Sequence, residues 1–184
     1  LDADPGDWEA RLDRGLLLAE HLGRDREAEL EMERVIGIRP EQDQAHAVLG
    51  EIYLRRGEIE AAGSASAAAL EINPANYRAL TIRGRIALRE GDPLSAERDF
   101  REALRIQPDG ALAFYGLGVI FFQQGEYREA ESYLRRALEP VSDFPEATLN
   151  LGLVLEVLGR REEAIKLLRE VVEKHPEFAA GHLG

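Results

Sequence analysis

The sequence predicts an all-α solenoid of about five helix-turn-helix repeats, and three observations predict it. Glycine recurs every 34 residues as Gly23, Gly57, Gly91, Gly125 and Gly159, and Ala28, Ala62, Ala96, Ala130 and Ala164 keep the same step. Gly50, Gly84, Gly118 and Gly152 form a third column; Pro40, Pro74, Pro108 and Pro176 form a fourth, with Ser142 in the one missing place. Between the columns, apolar residues fall at three- and four-residue steps, as in Leu149, Leu151 and Leu155 and then Ile165, Leu168, Val171 and Val172. That is the period of a helix face.

Each repeat therefore reads as two antiparallel helices, A and B, of about 13 residues. Gly57 and its equivalents end helix A, because a left-handed conformation costs glycine little. Proline closes helix B, since it cannot continue the hydrogen-bond ladder. The Gly50 column on helix A lets helix B approach through the small residue of the Ala62 column. Pro93 reads as the first residue of a helix capped by Asp92. The repeats span 8–42, 43–76, 77–110, 111–144 and 145–178 of a single array covering 1–184, and residues 1–7 and 179–184 read as fragments of flanking repeats. Pro5 to Pro40 is 35 residues, so the first repeat carries one extra, either inside helix A or at its turn.

Two places depart from the pattern. The junction Glu139-Pro140-Val141-Ser142-Asp143-Phe144-Pro145 displaces the proline to either side, so helix B should stop near Glu139. The loop is either an altered turn that keeps the phase or a stiffened segment that presents Phe144 to a partner. In the second repeat, Ser66 occupies the column of Phe100 and Leu134. Less apolar volume there means either closer approach of neighbouring helices or a locally weak unit.

Composition narrows the function. A net charge of −12 opposes binding to a phosphate backbone, so no nucleic-acid partner is expected. No apolar run reaches the roughly 18 residues of a membrane span, so no direct membrane insertion is expected. There is no cysteine, which removes thiol nucleophiles and Cys-zinc sites. His21, His46, His175 and His182 form no HExxH pair and no i, i+4 pair. Gly116-Leu117-Gly118 lies mid-helix with no strand before it, so it is no phosphate cradle. No nucleophile has a base in helical reach. Neither catalysis nor a metal or cofactor is expected of these residues.

The 34-residue helix-turn-helix unit resembles the tetratricopeptide repeat over nearly the whole chain. Its best copy runs Ala113-Phe114-Tyr115-Gly116-Leu117-Gly118, then Phe121, Gly125, Tyr127, Ala130, Tyr133, Ala137 and Leu138. The resemblance implies a right-handed superhelix whose A helices line a concave groove, and a role as a protein-protein interaction scaffold. It also implies that Asn150 stands where relatives hold a ligand's backbone amide. The subgroup that clamps acidic C-terminal tails with lysines and asparagines is not matched. The only lysines are Lys166 and Lys174, on the last B helix, and the second repeat has Ala47 and Glu51 at the clamp positions.

A-helix positions that avoid the A/B contacts give the candidate lining. These are Gln44, Ala47, Val48, Glu51 and Arg55; Arg78, Thr81, Ile82, Arg85 and Arg89; Leu112, Tyr115, Val119, Phe122 and Gln123; and Glu146, Leu149, Asn150, Leu153 and Glu156. Arg78, Arg85 and Arg89 fall on nearly one stripe. They either pair with Glu51, Glu90 and neighbouring acids or hold a partner's carboxylate bidentately. Tyr115, Val119 and Phe122 either pack in the core or offer an aromatic anchor.

The binding residues expected are thus Arg55, Arg78, Arg85, Arg89, Tyr115, Val119, Phe122 and Asn150, and the partner expected is a protein or peptide of acidic and apolar character. Two alternatives stand beside this reading: a substrate-recruiting arm of a larger enzyme, and a self-assembling scaffold. Leu167 and Val171 on the last helix pair have no evident cap, which leaves homo-oligomers through bare ends open.

Overall fold

The computed structural model describes residues 7–182, which form helices and, among these residues, no strand. The helices pair in chain order. The first six are α1 (Asp7–Glu20), α2 (Asp25–Ile38), α3 (Asp43–Arg56), α4 (Ile59–Ile72), α5 (Tyr77–Arg89) and α6 (Pro93–Ile106). The rest are α7 (Ala111–Gln123), α8 (Tyr127–Leu138), α9 (Pro145–Val157), α10 (Arg161–Lys174) and α11 (Pro176–His182). Odd-numbered helices up to α9 are the A helices of the repeats and even-numbered helices the B helices. Helices α1 to α6 gather into one compact unit and α7 to α11 into a second.

The turn from A to B is built the same way in four repeats. Glu58 N donates to Tyr53 O at 2.9 Å, Asp92 N to Ala87 O at 2.9 Å, Glu126 N to Phe121 O at 2.9 Å and Arg160 N to Leu155 O at 2.8 Å. Each spans five residues, and the glycine inside it sits at φ between 77° and 79°, where a Cβ is strained. In the first repeat Arg24 N reaches Leu18 O at 3.0 Å, six residues back. The extra residue therefore lies in the turn and not inside helix A.

That insertion hides one member of a column. A Cβ on Gly15 would meet Met32 Cε at 2.1 Å, as one on Gly84 meets Phe100, one on Gly118 meets Leu134 and one on Gly152 meets Leu168. Gly15 is thus the first small residue of the Gly50 series, displaced by one place from the 34-residue step. The second repeat solves its lack of volume by approach. At Gly50 the contacts are to α4 backbone, Ala62 O and Ser66 N, each at 3.4 Å, and to Ile82 Cδ1 of the next repeat at 3.3 Å. Ser66 is buried and its hydroxyl donates to Gly63 O at 3.0 Å.

Within each unit the core runs through the A/B contacts and the seams between successive repeats. One cluster joins Ala28, Met32 and Val35 of α2 to Val48 and Ile52 of α3. A second joins Ala62 of α4 to Ile82 and Ile86 of α5, and a third joins Ala130 and Leu134 of α8 to Leu151, Val154 and Leu155 of α9. Thr81 and Ile82, expected on the groove, are corrected by this packing. Ile82 is fully buried in the seam with α4, and Thr81 is buried with its hydroxyl donating to Arg78 O at 2.8 Å.

Helix ends follow residue chemistry. Asp92 Oδ1 accepts from Ser95 N at 3.0 Å, and hydrogen bonding to Ser95 pulls its carboxyl below the usual carboxylate range, with Pro93 as the first residue of α6. Asn76 caps α5, accepting from Ala79 N at 2.9 Å. Helix α8 ends at Leu138, so the displaced prolines do stop helix B where the sequence places the break. Phe144 is not held out to a partner by that loop. It is half-buried, and its ring lies against Tyr115 with centroids 5.1 Å apart.

Candidate functional site

In the first compact unit, α1, α3 and α5 line a concavity of about 350 Å³. Leu16, Ala47 and Val48 supply its apolar floor, and Glu20, Asp43, Gln44, Asn73, Asn76 and Arg78 its polar wall. The wall is ordered by a local network. The Asp43 carboxylate oxygen Oδ2 accepts from Asn73 Nδ2 at 2.7 Å and from Asn76 Nδ2 at 2.9 Å. Asn73 Oδ1 accepts from Ala75 N at 3.0 Å, so the loop before α5 is held to α3 by two side chains. Fixing these side chains before a ligand arrives lowers the ordering cost of binding.

Beside this concavity three of the expected arginines converge on one carboxylate. Glu51 accepts from Arg78 Nη1 at 3.0 Å and lies 3.5 Å from Arg85 Nη1 and 4.0 Å from Arg55 Nη1. Arg55 also pairs with Asp25 at 2.6 Å, and Arg78 with Glu20. Three guanidinium groups thus meet three carboxylates, and the stripe is largely neutralised by the chain's own acids. Arg89 is exposed and has no ion pair among the described residues. Glu51, one carboxylate shared by three cations, is the element that orders this face.

The second unit carries the aromatic residues. Asn150 Nδ2 donates to Tyr115 Oη at 3.2 Å and to Glu146 O at 2.9 Å, so both of its amide hydrogens are taken and Oδ1 is the atom left to meet a ligand. Phe122 is half-buried and meets Tyr127 edge to face at 5.8 Å. Val119 is half-buried. Tyr115 and Phe122 both pack against the cluster of α8 and α9, so each gives part of its surface to the core.

Sequence reasoning missed Leu16, Glu20, Asp43, Asn73 and Asn76. Asn76 carried a signal, an Asn directly before a helix start. Glu20 carried one only after the inserted turn residue is discounted, which puts it in the column of Arg55 and Arg89. Asp43 meets the two asparagines 30 and 33 residues away, and only stacking reveals that.

His175 Nε2 lies 2.7 Å from Asp143 Oδ1 and His46 Nε2 lies 2.8 Å from Pro40 O. No group of three His, Cys, Asp or Glu among the described residues could hold a metal ion. No helix of these residues is long and apolar enough to cross a membrane.

A family model for the tetratricopeptide repeat matches residues 22–77 and 83–145, and a second one matches 121–183. Among solved structures, the chain is similar to a thermophilic TPR protein of Thermus thermophilus, TTC0263, at 23% identity and TM-score 0.73 over 92% of each chain. It is similar to PilF of Pseudomonas aeruginosa at 21% identity and TM-score 0.70, over 88% of this chain and 73% of that one. YrrB, described as a TPR protein with an unusual peptide-binding site, aligns at 17% identity and TM-score 0.56, over 90% of this chain and 85% of that one. Comparison with curated proteins finds no match.

Proposed function

Because the chain belongs to the tetratricopeptide repeat family, we propose that it is a protein-protein interaction scaffold whose A-helix face grips a segment of a partner. The observation that carries this reading is the concavity between α1, α3 and α5, with an apolar floor of Leu16, Ala47 and Val48 inside an ordered polar wall. An apolar side chain of the partner fills the floor. An acidic group of the same segment meets Arg85 and Arg89 of α5, which stand outside the lining of the concavity. Among the described residues Arg85 pairs with Glu51, a carboxylate it shares with two other arginines, so it retains attraction for a second anion, and Arg89 supplies a whole charge. Within the second unit, taken by itself, Tyr115, Val119, Phe122 and Asn150 offer a part-apolar surface with one open amide oxygen. Such charges raise the encounter rate and select the sign of the partner more than they add affinity.

Selection of a displayed random-peptide library on the 184-residue chain tests the reading. Peptides that join acidic to apolar residues are expected. Arg85→Glu together with Arg89→Glu is expected to abolish their capture while circular dichroism stays unchanged. Peptides of any other character, or equal capture by the double variant, reject the acidic-apolar partner.

A further inference from the structure

One carboxylate of the first unit is left over when the charges around its concavity are matched. The Arg78 guanidinium is answered twice, by Glu20 and by Glu51, so it adds no net positive charge to the wall. Asp43 lines the same concavity, half-buried, and has no ion pair among the described residues. Its column holds Tyr77, Ala111 and Pro145 in the repeats that follow, so this carboxylate is a feature of the site and not of the repeat.

The hydrogen bonds fix which of its atoms is open. Asn73 and Asn76 each anchor their amide oxygen on a backbone N–H, of Ala75 and of Ala79, so neither amide turns over and both present Nδ2 to Asp43. Both donate to Oδ2. Oδ1 accepts from none of the described residues, and the exposed Gln44 side chain of the same wall makes no hydrogen bond among them either. Below this wall the floor is dry: Ala47 and Val48 are buried and Leu16 is half-buried.

We infer that the group seated in this concavity is a lysine side chain of the partner segment, its methylene stem on Leu16, Ala47 and Val48 and its ammonium donating to Asp43 Oδ1. The inference rests on the scaffold reading above and names the residue whose stem fills the floor. Arginine fits less well, because its planar fork takes both oxygens of a carboxylate and Oδ2 already holds two amides. A chain N-terminus carries the charge without a stem to cover the floor. The ammonium has three donors, and Gln44 Oε1 and the Glu20 oxygen not bonded to Arg78 are the further acceptors of the same wall. Lysine also sets the spacing of the acid. At about 1.5 Å per helical residue, Arg85 and Arg89 stand about 14 and 20 Å along α5 from Asn76. An extended segment covers that distance in about four to six residues.

Synthetic octapeptide libraries, acetylated at the N-terminus and amidated at the C-terminus, test it on the immobilised 184-residue chain. Each holds a glutamate about five places after one fixed residue, which is lysine, norleucine or arginine, with the other positions random. The lysine library is expected to be retained at least about tenfold more strongly than the norleucine library, which keeps the stem and drops the charge, and more strongly than the arginine library. Asp43→Asn keeps an oxygen for Asn73 and Asn76, and it is expected to erase the advantage of lysine over norleucine while circular dichroism stays unchanged. Equal retention of the lysine and norleucine libraries, at whatever level, overturns the inference, and that comparison uses the parent chain, so it stands whatever Asp43→Asn does to folding. Retention of arginine above lysine overturns it too. So does an advantage of lysine that survives in a folded Asp43→Asn, which would put the ammonium on another acid. The contribution of the glutamate is read separately, through Arg85→Glu with Arg89→Glu, so failure of the lysine and failure of the acidic-apolar partner are told apart.

Discussion

Arg83 holds Asp99 with two hydrogen bonds, Nε to Oδ2 at 2.6 Å and Nη2 to Oδ1 at 2.9 Å, and the carboxylate is 2% exposed. The bond to Asp99 raises the affinity of the Arg83 guanidinium for its proton above the ordinary arginine value. This pair spans α5 and α6 where the second and fifth repeats are apolar. Leu49 and Ala65 share one cluster, and Leu151 and Leu167 share another, in the same two columns. The first repeat repeats the ionic solution, with Glu31 buried among Arg11, Arg14 and Arg34 at 3.3, 3.4 and 3.0 Å.

Breaking that pair from the acidic side should cost stability that replacing it does not. Asp99→Ala leaves a guanidinium that is 44% exposed and can turn to water, so the loss is about 2 kcal/mol, below that of a fully buried pair. Arg83→Leu with Asp99→Leu copies the fifth repeat and is expected to stay within about 1 kcal/mol of the parent. Urea denaturation of the single and double variants decides it; equal losses in both would show that the columns are not interchangeable.

Glu51→Gln should turn the first unit's inner face basic. Arg55, Arg78 and Arg85 would lose the carboxylate they share, while Asp25 and Glu20 still satisfy two of them. Affinity for an acidic peptide such as oligoglutamate should rise, and the gain should vanish at high salt, as expected for charges screened over about 10 Å at 0.1 M. Titration at two ionic strengths reads this directly, and an unchanged affinity would mean that Glu51 does not limit the site.

Two glycines of one column should respond to alanine in opposite ways. At Gly84 the new Cβ would stand 2.9 Å from Cε1 and 3.0 Å from Cζ of Phe100, a ring with no exposure and no room to retreat. A loss of about 1 to 3 kcal/mol is expected. At Gly50 the nearest atom, Ile82 Cδ1 at 3.3 Å, is the end of a flexible chain, and the gain in helix propensity of about 1 kcal/mol offsets its small shift. Thermal midpoints of the two variants should therefore separate.

The cap at α6 gives a pH signature. Asp92 is depressed by its bonds to Ser95, first the side-chain hydroxyl and then the backbone N–H. A carboxyl whose folded value lies below its unfolded one contributes stability above the unfolded value and loses it as pH falls through the folded one. Asp92→Ala should lower the thermal midpoint at neutral pH and leave it equal to the parent's at pH values below the depressed range. A difference that persists undiminished into strong acid would show that the carboxylate charge plays no part in the cap.

The sequence determined the repeat, its glycine turns, the A/B alternation and the break at Pro140, because each follows from local geometry: a left-handed residue, a missing amide hydrogen, a helical period. The column at Gly15 escaped it, since one inserted residue in a turn shifts the phase without changing any local preference.

Only the tertiary structure decided what the groove residues do. In the sequence, pairing of Arg78 and Arg85 with Glu51 and neighbouring acids stood open beside the holding of a partner's carboxylate; stacking brought Glu51 of α3 to both and Glu20 of α1 to Arg78, and it gave one hydrogen of the Asn150 amide to Tyr115. Charge pairing across repeats depends on side chains some thirty or more positions apart meeting at hydrogen-bond distance. Periodicity puts such residues on one face, but the rotamers and the spacing of packed helices settle which of them touch.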